Sequence, residues 1–271
     1  MLLSNQPCRL DLEDRGALQA LPPIPRAFAN FARAAEVLVD WHKTENQLQI
    51  GSCQGNGLTS LLERLQFVRW RDRLKVVQLS RIFAYLAVQK LDGLLGVDQG
   101  STIGNGIKLA LSDGVPPEAL TGYPDAYPGQ RDRERILSAA NYAAGKPFKA
   151  HSSWQAPEDV DEVMSFISGG GGISFGIPYW PGLIPRDRVV RSFNPPARFG
   201  SHAMAVLGYT RRGNLLGVNS HADGPYEIEA AAWRAMIRHR WTVAIGLVGT
   251  EDGGPVDWLN DSYMTSGLYP E

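Results

Sequence analysis

The apolar residues of this chain change their period near its middle, and that change limits the fold more than any single motif. Leu58, Leu61, Leu62, Leu65 and Val68 recur at helical spacing, as do Val77, Ile82, Tyr85, Leu86 and Val88 within residues 76–91, so both stretches read as helices. Residues 102–113 read as a third, stopped by Gly114 and the Pro116-Pro117 pair. Further on the pattern shortens. Residues 173–177, 203–209, 215–218 and 243–248 read as strands, with Arg211-Arg212-Gly213-Asn214 as a hairpin turn between two of them. A helical half followed by a strand-rich half is the pattern of an α+β fold with two lobes and a cleft between them.

The ends read differently from the body. Leu21-Pro22-Pro23-Ile24-Pro25 forbids helix and favours an extended strap, and residues 27–41 read as a short helix running into a strand. The expected organisation is an arm over 1–30, a body over 31–250 and a polar tail over 251–271. Within the body, a helical lobe takes about 45–150 and a β-rich lobe about 151–250. A chain of 271 residues, 44% hydrophobic, can bury a sizeable core. Lys plus Arg number 27 against 28 Asp plus Glu, so no global field recruits nucleic acid or acidic lipid, and neither is expected as a partner. Arg64, Arg69, Arg71, Arg73 and Lys75, with Trp70 among them, read as a solvated helix face or loop. Trp233 and Trp241 read as core. The start has no secretory pattern, no run approaches the roughly 18 apolar residues of a membrane span, and few residues precede Cys53 for an inhibitory pro-segment. The expected location is the cytoplasm, or carriage in a virus particle.

Chemistry concentrates around one cysteine. Gln47-Leu48-Gln49-Ile50-Gly51-Ser52-Cys53 sets a thiol after a Gly-Ser turn and before a helical stretch, with a glutamine amide upstream. A thiol attacks carbonyls well when an imidazole takes its proton and a helix N-terminus favours the thiolate. His202, in Gly200-Ser201-His202-Ala203, supplies an imidazole, and Asn219 supplies an amide to orient it. A side-chain amide beside the nucleophile, Gln47, can donate to an oxyanion. Gly55 and Gly57 weaken the start of the helix by about 1 kcal/mol each relative to Ala, which points to close backbone packing or a loosened first turn. Cys8 is the other cysteine, and both read as free thiols. The five histidines, His42, His151 and His239 included, lack metal-ligand spacing, so no metal or cofactor is expected. Gly169 to Gly172 lacks the following Lys-Ser/Thr of a phosphate loop and reads as a tight turn.

These residues resemble the papain-like cysteine peptidases. His202 follows Cys53 by about 150 residues, in keeping with that family's spacing. Asp98-Gln99-Gly100-Ser101, Asp113-Gly114-Val115-Pro116-Pro117-Glu118 and Tyr123-Pro124 look like the family's run from cleft wall to Glu…Tyr-Pro corner, and the similarity covers roughly residues 36–250. The resemblance implies a papain-like two-lobe fold, with Cys53 as nucleophile, His202 as base and then acid, Asn219 as its orienting group, and Gln47 with the Cys53 backbone N–H as oxyanion hole. It further implies Gly100, Ser101 and Ser201 along the cleft, and a polypeptide substrate.

Four positions depart from that pattern. Ile50 stands where many members carry a disulfide cysteine and Gln54 where many carry an aromatic, so the link between cleft wall and catalytic loop is expected to be missing. The family's Asn-Ser-Trp-Gly is here Asn219-Ser220-His221-Ala222, which removes the indole that shields the His–Asn pair. The version without disulfides looks bacterial or viral. Three readings follow: a cysteine peptidase acting on peptide or isopeptide bonds, a weak or inactive structural module of an assembly such as a phage particle, engaged through arm or tail, and a peptidoglycan amidase or endopeptidase.

Overall fold

The computed structural model describes residues 21–29, 33–70 and 72–249. Most of the arm, Cys8, Arg71 and the tail lie outside them. In chain order the described elements are α1 (Arg26–Ala29), α2 (Cys53–Trp70), α3 (Arg81–Leu91), α4 (Ile103–Ser112), α5 (Gln130–Ile136), α6 (Ala139–Gly145), β1 (Ser152–Gln155), α7 (Val160–Ser168), β2 (Gly172–Tyr179), β3 (Val189–Val190), β4 (Gly200–Tyr209), β5 (Leu215–Val218), β6 (Tyr226–Ile228), α8 (Ala230–Arg238) and β7 (Val243–Val248). The fold is α+β, as the change of period implies. No described helix is long and apolar enough to cross a membrane.

The three helices read from the sequence form where caps allow. Helix α3 starts five residues later than the apolar pattern, because Ser80 caps the Phe83 N–H and the preceding Leu79 is extended, bridged to Pro117. Thr102 caps α4, and Gly114 leaves that helix with φ +69°. Among the described residues of 27–41 the structure has α1 and an isolated bridge between Val37 and Tyr209 in place of a strand. The described end of the arm runs beside β1, where Pro22 accepts from the Gln155 amide at 2.9 Å.

Seven strands form one sheet in the order β1-β7-β2-β4-β5-β6-β3, antiparallel except for the β3–β6 pair. Its central strands are buried on both faces, and alternation sorts their side chains between two cores. Ala203, Ala205 and Leu207 of β4, with Val243, Ile245 and Leu247 of β7, join the core shared with α2, α3 and α4. Met204 and Val206, with Phe175 of β2, join the core under α7 and α8, where Trp233 is fully buried. Trp241 is only partly buried, with the Arg240 guanidinium over its ring, so it belongs to the edge and not to the core.

Helix α2 packs between the sheet and helix α3 and is buried along most of its length. Its two early glycines mark close backbone packing: a Cβ on Gly55 would sit 2.6 Å from the Arg81 carbonyl oxygen, and one on Gly57 3.3 Å from that of Met204. Arg64, expected to be solvated, is fully buried on this helix. Its Nε donates to the Gly171 carbonyl and its Nη2 to that of Ile167, both at 2.7 Å, so it binds α2 to the C-terminal end of α7. The turn there has Gly170 at φ +91°, as the glycine run implies.

Buried charge knits the helices together as well. Arg81 pairs with Glu45 at 2.5 Å, holds Glu118 through two bonds of 2.7 Å, and lies over the Tyr123 ring at 4.1 Å. Nearby Glu63 accepts from the Leu79 amide at 2.8 Å. Burial first, and then the charges of Glu45 and Glu118, push its carboxyl up to about 8 against the pull of the Leu79 bond and Arg81.

Two outcomes follow from this packing. Gly55→Ala gains helix propensity of about 1 kcal/mol yet is expected to lower Tm, because its Cβ meets the Arg81 carbonyl; a rise in Tm would refute the close approach. Glu63 keeps its proton in the native state, so its stabilising contribution is full below the ordinary carboxyl range and is lost as pH rises through about 8. Glu63→Gln, which cannot ionise but still accepts from Leu79, is expected to flatten the fall in stability between those limits and gain at least about 1 kcal/mol at the alkaline end, read from urea melts across pH.

Candidate active site

Cys53 opens helix α2, and its thiol meets the His202 imidazole of β4 within hydrogen-bonding reach. The first-turn N–H groups of that long helix lack intrahelical partners and favour negative charge at this position. The other ring nitrogen, His202 Nε2, lies 2.7 Å from Asn219 Oδ1, just past β5. All three side chains are buried: Cys53 is 1% exposed, and His202 and Asn219 are each 4% exposed. Burial works against a charged His202. The hydrogen bond and charge of Cys53 outweigh it, with help from Asn219 and Asp223, and the net displacement of the imidazole pKa is upward. The arrangement therefore favours a protonated His202 beside Cys53.

Gln47 sits at the junction of the two halves of the chain. Its backbone N–H donates to the Ser220 carbonyl at 2.8 Å, and the Ala222 N–H donates to that of Glu45 at 2.9 Å. Its carboxamide is fixed at both ends, Nε2 donating to the Ile50 carbonyl at 3.0 Å and Oε1 accepting from Ser220 Oγ at 2.6 Å. Tyr123 completes the frame, with its hydroxyl donating to the Gln47 carbonyl at 3.0 Å and lying 2.6 Å from Ser52 Oγ. The structure thus brings together the four residues assigned to chemistry from the sequence.

Of the residues expected to line a cleft, Gly100 and Ser101 turn polar groups into the fold. Gly100 is buried, its N–H donating to the Tyr85 hydroxyl and its carbonyl accepting from Gln89 Nε2. Ser101 is also buried and donates to Gln54 Oε1 at 3.0 Å, next to Cys53 in the chain. Ser201 is half-buried on β4, opposite Pro178.

The missing link between wall and loop is a correction, because a carboxylate supplies it. Asp98 accepts from the Gly51 N–H at 3.0 and 3.3 Å and from the Tyr85 hydroxyl at 2.6 Å, spanning the gap beside Ile50. Sequence reasoning quoted Asp98 without giving it a role. The available signals were Ile50 in place of a disulfide cysteine and the acid at position 98, far from it in the chain. Tyr179 and Asp223 were also missed. The Tyr179 ring lies 4.7 Å from that of His202, while Asp223 pairs with Arg188 at 2.8 Å. His221 stacks on His202, with centroids 4.6 Å apart and planes 20° from parallel, where the indole was expected to be lost.

Asp98→Ala is expected to destabilise the protein by about 1.5–3 kcal/mol, the range for a hydrogen bond to a charged group, and to slow thiol modification of Cys53 by loosening the Gly51 turn. Asp98→Asn, which keeps one acceptor, is expected to lose less on both counts. Equal melting curves and labelling rates in all three proteins would remove Asp98 from this role.

No protein-family model and no curated protein matches the sequence. Solved structures do match. Xylellain, a cysteine protease from Xylella fastidiosa, superposes with TM-score 0.72 at 20% identity, over 92% of this chain and 99% of that one. Procathepsin B from Trypanosoma congolense gives 0.63 at 12% identity, over 91% and 87%. A digestive procathepsin L of Tenebrio molitor larval midgut gives 0.60 at 14%, over 87% and 79%. With this likeness spread over most of the chain, the protein has the papain-like cysteine protease fold.

Proposed function

We propose that the protein is a cysteine peptidase that hydrolyses peptide bonds through an acyl-enzyme. The observation that carries this reading is the chain of contacts from Cys53 at the start of α2, through His202, to Asn219 Oδ1 at 2.7 Å. The fold shared with cysteine proteases supports it and points to a polypeptide as substrate.

In the first half-reaction the Cys53 thiolate adds to the scissile carbonyl carbon, and the carbonyl electron pair moves to oxygen. The Cys53 N–H and the second amide hydrogen of Gln47, whose first is given to Ile50, stabilise that oxyanion. Collapse expels the amine, which takes its proton from imidazolium His202, and leaves a thioester on Cys53. In the second half-reaction neutral His202 removes a proton from water, the hydroxide adds to the thioester, and Cys53 leaves as thiolate as His202 again carries the proton. Asn219 holds the imidazole in its plane throughout by accepting from Nε2.

The test pairs labelling with turnover. Exchange of Cys53 with dipyridyl disulfide is expected to run well below the ordinary thiol pKa of about 8.5 and to lose that advantage in His202→Ala. Gln47→Ala is expected to leave the exchange rate nearly unchanged while cutting kcat on peptide substrates by about 10²–10³. Exchange no faster than that of a free thiol, and indifferent to His202→Ala, would sink the peptidase reading.

A further inference from the structure

His221 stands two residues beyond Asn219 and returns its ring to the same site. Its backbone is fixed by the bridge to Asn46 and by the Ala222-to-Glu45 bond, with Ala222 held at φ +58°. One face lies on His202 at 4.6 Å, and Tyr179 packs its ring edge-on at 5.8 Å. The ring does more than fill space. Its Nδ1 is 3.4 Å from Asn219 Nδ2, the same amide that presents Oδ1 to His202 at 2.7 Å, and Asn219 Nδ2 is also 3.4 Å from Asp223 Oδ2. A neutral imidazole can accept from that amide and hold it the right way round, whereas a protonated one has only donors.

The groups facing His221 are His202 from β4, Cys53 from α2, Tyr179 from β2 and Asp223 from its own loop, with Arg188 behind Asp223 at 2.8 Å. Arg188 engages the one carboxylate that favours a charged His221. A second cation stacked on imidazolium His202 is therefore poorly compensated.

We propose that His221 is a positioning residue for His202: neutral, it covers the His202–Asn219 bond and fixes the amide, and protonated, it releases the amide and repels imidazolium His202, so that acid disables the site through this ring. The proposal rests on the Cys53–His202 reading. Burial, and next the charge of His202, lower the His221 pKa to about 4, against the pull of Asp223 and Cys53. The ring is thus neutral across the ordinary working range, and the loss falls at the acid end.

The test follows Cys53 exchange with dipyridyl disulfide across pH in the full chain. Wild type is expected to lose reactivity around pH 4 more steeply than a single ionisation allows. His221→Trp keeps the cover without the charge, and is expected to fall along a single ionisation and retain at least about threefold more of its plateau rate one pH unit below the wild-type midpoint. His221→Gln, a second non-titrating variant, is expected to show the same single-step limb should the Trp variant fail to fold. In wild type, ring-carbon NMR is expected to show the His202 signal shifting again as His221 titrates. An acid limb identical in wild type and both variants, or a His202 signal blind to the His221 midpoint, would overturn the proposal. If Cys53 reacts no faster than a free thiol at every pH and ignores His202→Ala, the peptidase reading has failed and the proposal falls with it, a result distinct from an unchanged acid limb.

Discussion

Everything at the site depends on how closely helix α2 can approach the sheet and the helix beside it. A helix that carries Cys53 at its first residue brings that thiol to the His202 imidazole only if the helix axis is fixed to within a fraction of an ångström. Gly55 and Gly57 permit the approach by leaving out the Cβ atoms that would meet the carbonyls of Arg81 and Met204. Arg64 then anchors the middle of the helix, giving its guanidinium to carbonyls at the end of α7 and in the turn that follows. The cost in helix propensity at two positions is offset by burial on nearly every side, where packing outweighs intrinsic preference.

A second constraint joins the halves of the chain. Residues 45–47 and 220–222 pair through backbone bonds, and Ser220 Oγ donates to the Gln47 side chain. One short clamp therefore sets Gln47 from the helical half beside Asn219 from the sheet half. On its far side Glu45 enters the buried cluster with Arg81 and Glu118, and Tyr123 spans from that cluster to Gln47 and Ser52. Removing Arg81 leaves the two carboxylates without their cation, a penalty of about 3–5 kcal/mol, so the cluster holds the clamp without a covalent bond.

Two positions show how a fold replaces a missing part with different chemistry. Asp98 ties wall to loop by accepting from Gly51 and Tyr85, and works in reducing and oxidising surroundings alike. His221 covers the His202–Asn219 pair with an imidazole, which shields as an aromatic ring does but adds a titrating group. The first replacement keeps geometry fixed and the second makes it sensitive to acid.

The sequence by itself determined the α+β order, the three early helices to within a few residues, four of the strands, and Cys53, His202, Asn219 and Gln47 as candidates. Period and residue chemistry are local, so one chain carries them in full. The short strands β3 and β6 escaped because two or three residues give no alternation to read, and the fate of Arg64 escaped because a charge looks the same in sequence whether water or buried carbonyls satisfy it. Only the tertiary structure decided that Gly100 and Ser101 turn their polar groups inward, that Asp98 bridges to Gly51, and that His221 stacks on His202. Each of these is a pairing between segments far apart or freshly turned in the chain, and hydrogen-bond partners at such range are set by packing and not by the residues' own preferences.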